Sequence, residues 1–120
     1  MKTRSQIFAE KAIQVVYRWD AGNYDKQKLR TAALSFPALI QTCGLLQALA
    51  FVEEKKESQP YAEGFKQELG VHQDVGAVTV DSLAALGAVE YMRVSRMAIE
   101  AATWIKRYAA SVLPEPDQPA

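Results

Sequence analysis

Along residues 35–55 (SFPALIQTCGLLQALAFVEEK) apolar side chains occur at nearly every helical azimuth, and no charge falls between Arg30 and Glu53. A helix on a protein surface backs its apolar stripe with charge, so this pattern predicts an enclosed helix, the spine of an all-helical domain. Phe36-Pro37 marks its start, because Pro at the first helical position gives up only an amide that has no intrahelical acceptor; Ser35 or Phe36 is then the cap, and the helix reaches about Glu57. The run is shorter than the roughly 20 apolar residues that span hydrocarbon, and it contains Gln41, Gly44 and Gln47, which argues against a membrane span.

The flanking segments repeat the helical period. Thr3-Arg4-Ser5-Gln6 has the form of a capping box and predicts a first helix from Arg4 to about Asp20, ended by Ala21-Gly22-Asn23. Phe8, Ala9, Ala12, Val15, Val16 and Trp19 gather on one side of it, while Arg4, Lys11 and Arg18, each seven apart, line another. Asp25 caps a second helix carrying Leu29, Ala32, Ala33 and Leu34, expected to stop before Pro37 because the residue preceding proline is pushed out of the helical region.

Beyond Ser58-Gln59-Pro60, Tyr61, Phe65 and Leu69 at four-residue spacing predict a short helix closed by Gly70. Residues 71–79 read as a loop, and Asp81 or Thr79 caps a short helix over Ser82 to Leu86. Gly87 separates it from a long final helix, about Val89 to Leu113. There Met97, Ala101, Trp104, Ile105, Tyr108 and Val112 share one face, and Arg93, Arg96, Glu100, Thr103 and Arg107 the opposite one. Pro114, Pro116 and Pro119 predict an extended, disordered tail. The expected architecture is all-α: a compact single-domain bundle of about five to six helices over residues 1–113, followed by the tail 114–120.

A chain of 120 residues suits one domain that buries roughly two thirds of its unfolded surface without a metal or disulfide. The single cysteine, Cys43, leaves no intrachain disulfide, and the absence of a leader-like start suggests a cytoplasmic protein. Net charge is zero, yet residues 1–30 carry +4, residues 31–90 carry −5 and residues 91–120 carry +1. The expected molecule is polarised, with a basic side suited to phosphates; overall neutrality argues against a tight, free-standing nucleic-acid binder.

Catalysis by nucleophile and base needs a poised pair. Cys43 lies within the apolar run and reads as inert packing; His72 reads as a solvent-facing loop residue, and the two cannot supply the four ligands of a structural zinc site. Glu53 and Glu57 read as a charged helix end, and the glycines are too scattered for a phosphate loop. No catalytic residue, metal or cofactor is therefore assigned. The Arg4/Lys11/Arg18 stripe is open to two readings, solvated surface or phosphate contact. Lys106 and Arg107 stand near the end of the last helix, where cations also gain from the helix dipole. Trp19, Trp104 and Tyr108 are assigned to the core, Tyr17 is open, and Gln41, Gly44 and Ala48 form a strip where a neighbouring helix could approach closely.

Three blocks, KTRSQIFAEKA, FPALIQTCGLLQALAFVEEK and EYMRVSRMAIEAATWIKRYA, together resemble the small subunit of the Cmr-type (type III-B) CRISPR effector complex. The resemblance rests on Arg4, Ala9, Ala12, Pro37, Ile40, Gln41, Gly44, Leu45, Gln47, Ala48, Leu49, Ala50 and Phe51, then Tyr91, Trp104, Lys106 and Arg107. It implies an all-helical, non-enzymatic subunit that stacks in several copies along an RNA-guided ribonucleoprotein. The implied partners are the repeated backbone subunit, the large subunit, guide RNA and target RNA. Joined to the charge pattern, it makes Arg4, Lys11, Arg18, Arg30, Lys106 and Arg107 the candidate RNA-binding residues. The competing reading is a protein-only helical adaptor that never touches nucleic acid.

Overall fold

Thr3 opens the first helix as its sequence requires: its hydroxyl accepts from the Gln6 amide at 3.1 Å while the Gln6 side chain accepts from the Thr3 amide at 2.8 Å, pairing donors the helix cannot satisfy itself. The computed structural model describes residues 1–70 and 78–115. It contains α1 (Arg4–Ala21), α2 (Lys26–Cys43), α3 (Leu45–Glu54), a short 3-10 turn (Lys56–Ser58), α4 (Gln59–Gly70), α5 (Val80–Ala84) and α6 (Ala88–Val112). No strand occurs among the described residues. Thr79, the second of the two candidate caps, starts α5 through a reciprocal pair with Ser82. The expected loop falls almost wholly outside the described residues, as do His72 and tail residues 116–120.

Two expectations about the central run fail, for physical reasons. α2 does not stop before Pro37 but passes through it to Cys43. A proline inside a helix costs about 3 kcal/mol. Continuing the helix keeps Leu29, Ala33, Phe36 and Ile40 on one buried face, and the last two together repay a cost of that size. Ser35 is accordingly no cap: its hydroxyl donates to the Thr31 and Ala32 carbonyls within the helix.

Nor is the run a single spine. It breaks at Gly44, whose φ of +86° only glycine adopts without strain. Gly44 closes α2, donating to the Ile40 carbonyl at 2.8 Å, and opens α3, its own carbonyl accepting from Ala48 at 3.0 Å. A free amide in the first turn of α3 is met from α6, where the Tyr91 hydroxyl accepts from Leu46 at 3.0 Å.

With the run broken, Ile40 on one side and Leu45, Ala48, Leu49 and Val52 on the other all face the core, while Gln41, Thr42, Gln47, Ala50 and Phe51 face outward. Cys43, expected inside, is exposed. The close approach expected along Gln41, Gly44 and Ala48 occurs instead at Gly64 of α4, where a Cβ would meet the Trp19 ring at 2.5 Å.

α6 is the central strut, packing along both α1 and α2. It runs antiparallel to α2, because Arg30 meets Glu115 at one end and Leu46 meets Tyr91 at the other. It therefore runs parallel to α1, whose Arg4 meets Glu100. Trp19 of α1, Phe36 of α2 and Tyr61 and Phe65 of α4 form an aromatic cluster. Phe36 stands edge-on to Tyr61 and Phe65, with ring centroids 5.1 and 4.7 Å away. Trp19 is buried as expected, whereas Trp104 and Tyr108 only pack half-buried against the core.

Glu68 shares the buried face of α4 with these aromatics. It is fully buried, and neither carboxylate oxygen has a hydrogen-bond partner among the described residues; the Tyr61 hydroxyl is likewise unpartnered. Burial pushes the Glu68 carboxyl up to about 9, against a smaller opposing pull from the Lys11 charge. The neutral acid is thus the form the fold accommodates.

Two tests follow from these backbone and burial arguments. Gly44→Ala should destabilise the chain by about 1–3 kcal/mol in denaturant melts, through φ strain alone, because the site has room for the methyl group. Gly87→Ser, at an extended cap with open space around it, should change stability by only a few tenths of a kcal/mol; equal effects from both would refute the strain argument. Glu68 keeps its proton in the folded chain up to about pH 9 but releases it near its ordinary 4.5 once unfolded, so stability declines as pH rises through that window. The decline should reach at most about 1.4 kcal/mol per pH unit and should vanish in Glu68→Gln; the same pH dependence in both proteins would show that Glu68 stays ionised.

Candidate nucleic-acid interface

The seven-residue spacing of Arg4, Lys11 and Arg18 places them along one line of α1, about 10 Å apart at 1.5 Å per residue. Their local surroundings differ. Arg4 is exposed, but its Nε donates to Glu100 Oε1 at 2.7 Å, and Ser5 donates to the other oxygen of the same carboxylate. Lys11 is half-buried and has no ion pair within bonding distance among the described residues. Arg18 is exposed and donates through Nη2 to Gln67 Oε1 of α4 at 2.5 Å, a neutral partner that leaves its charge uncompensated.

Lys106 and Arg107 are exposed on α6. The Arg107 guanidinium lies 5.1 Å over the Trp104 ring, which in turn stacks on Tyr108 with centroids 6.2 Å apart. Stacking on an indole fixes the plane of a guanidinium while leaving its N–H groups free for phosphate oxygens. Because α1 and α6 run in the same direction from the Arg4–Glu100 contact, Lys11 and Arg107, each seven residues on, both lie two turns further toward the same end of the bundle. Arg30 stands differently. It is half-buried on α2, its Nη2 is 4.0 Å from Glu115, and its Nε is buried without a partner.

The stripe ends in a groove that sequence reasoning missed. Arg18, Trp19 and Tyr24 from the α1–α2 corner face Lys56, Gln59 and Gln67 from the far side, around a cavity of about 510 Å³. Its two walls are more than thirty residues apart in sequence, so no local spacing pointed to it. Opposite in character is the outward face of α2 and α3. From Thr31 through Phe51 every exposed residue is uncharged, and Phe51 is 46% exposed. The charge-free run read as enclosed therefore includes exposed uncharged residues, and at its end the Lys55 ammonium lies 4.7 Å over the Phe51 ring.

Among the described residues no group of three or more His, Cys, Asp or Glu is arranged to hold a metal ion, and no helix is long and apolar enough to cross a membrane. Glu53, one of the paired acids, is engaged by Lys66 at 2.8 Å.

Comparison with known proteins agrees with this architecture. A family model described as CRISPR-associated protein (Cas_Cmr5) matches residues 4–112. The CRISPR system Cmr subunit Cmr5 of Thermus thermophilus is 34% identical over 117 residues, covering 96% of this chain and all of that protein. The crystal structure of a CRISPR-associated Cmr5 family protein from the same organism superposes with a TM-score of 0.80 at 30% identity, covering 94% of this chain and 100% of that one. The matched region holds the six described helices and every candidate cation, so the chain belongs to the Cmr5 family of CRISPR-associated proteins and is a subunit of a CRISPR Cmr complex.

Proposed function

We propose that this chain is a non-enzymatic structural subunit of a type III-B Cmr ribonucleoprotein in antiviral defence. In this reading it works in the cytoplasm, stacks in several copies beside the repeated backbone subunit and the large subunit, and stabilises the pairing of guide RNA with target RNA. The observation that carries the reading is the separation of surface character. Candidate cations project from α1 and α6, whereas the exposed residues of α2 and α3 from Thr31 through Phe51 are all uncharged. The first surface suits phosphates and the second suits protein.

Lys11, Arg18, Lys106 and Arg107 meet RNA phosphates directly in this proposal. Arg4 and Arg30 join them by exchanging Glu100 and Glu115 for a phosphate. Individual contacts of this kind are weak on a neutral protein. Several copies fixed along one RNA combine them through effective concentration, so modest affinity per subunit is compatible with firm retention of target.

The protein-only adaptor is the second reading, favoured by the exposed Phe51 at the end of the uncharged stretch. Salt separates the two. Contact with Z phosphates of a single strand makes log affinity fall with log salt at a slope of about −0.7Z, whereas a mainly apolar protein interface changes little. In a correctly assembled complex, Arg4→Glu, Lys11→Glu and Arg18→Glu together should weaken target-RNA binding by roughly tenfold or more and flatten that slope. Unchanged affinity and slope would favour the adaptor.

A further inference from the structure

We infer that the groove at the end of the α1 stripe is a nucleotide subsite. It receives one unpaired RNA base against Tyr24, with the attached phosphate between Arg18 and Lys56. The inference rests on the RNA-facing reading of α1 and extends it from phosphate contact to base contact. Four observations carry it.

First, the cavity of about 510 Å³ lies within the range of small-ligand sites. Second, its aromatic wall rests on main chain. A Cβ on Gly22 would come within 2.5 Å of the Tyr24 ring, so the ring lies directly on glycine backbone at the rim, 42% exposed, while Trp19 forms a floor only 3% exposed. An open aromatic face backed by main chain suits base stacking.

Third, the charge fits. Among the described residues Glu63 is the one acid lining the groove, against the two cations Arg18 and Lys56; Lys66 engages it at 3.0 Å while also holding Glu53. Arg18 is held by a neutral amide, and Lys56 has no ion pair among the described residues. Fourth, two amides supply edge recognition. Gln67 uses its oxygen for Arg18 and keeps its NH2 group, whereas Gln59 uses its NH2 for the Glu53 carbonyl at 3.3 Å and keeps its oxygen. The groove thus offers one donor and one acceptor to a base, beside a stacking face and two cations.

The test is an NMR titration of the nitrogen-labelled full chain with adenosine monophosphate and, separately, ribose phosphate. Adenosine monophosphate should shift amides around Gly22, Tyr24, Gln59 and Gln67 and bind roughly five- to a hundredfold more tightly than ribose phosphate, the range expected for one stacked base. Tyr24→Ala should bring it down to the ribose phosphate level, and Tyr24→Phe should restore it. Equal affinity for the two probes, or no localised shifts with either, would overturn the subsite. Loss of target RNA from the charge-reversed complex alongside a flat titration would reject the subsite alone. Unchanged target-RNA binding in that complex would reject the RNA-facing reading itself.

Discussion

One constraint organises this fold: the run from Ser35 to Lys55 carries more apolar side chains than one straight helix can turn toward a single core. The positive φ of Gly44 resolves it by dividing the run into the end of α2 and the whole of α3, each with its own inward face. Everything around the break depends on that division. Tyr91 from α6 caps the new helix start. α3 can then hand the chain back through a 3-10 turn to α4, which returns Tyr61 and Phe65 to Phe36. Had the helix continued, α4 would begin too far from Phe36 to build the aromatic cluster.

This also marks what a sequence can and cannot disclose. The helices on either side were legible because caps and the 3.6-residue period are local, as at Thr3 and along Phe8, Ala12, Val15 and Trp19. Pro37 misled because its local rule is real but smaller than the burial of Phe36 and Ile40, a quantity set by α4 and α6. Gly44 misled because a lone glycine inside an apolar helical pattern is equally compatible with a break and with close packing. The exposure of Cys43 follows from that one misreading. Glu68, by contrast, could have been found: it falls three residues after Phe65 and seven after Tyr61, on the stripe that holds both.

The candidate surface divides along the same line. A basic stripe on one helix is a periodic signal, so Arg4, Lys11 and Arg18 were visible; their partners were not, since Glu100 and Gln67 lie on other helices. The groove beside Arg18 exists only because the α1–α2 corner and the start of α4 are brought together by the core. Gly64 sets their separation, since the α1 side chains Trp19 and Val15 press against its bare Cα. Packing inside the bundle therefore shapes a concavity on its surface, and a methyl group at that glycine would push the walls apart.

Glu68 finally alters the electrostatic identity of the whole molecule. By composition the chain has equal numbers of acids and bases. With one acid sealed in the core and holding its proton at neutral pH, the folded protein carries one positive charge more than that count implies. Folding therefore takes up a proton at neutral pH and moves the charge of a compositionally balanced chain one unit in the positive direction.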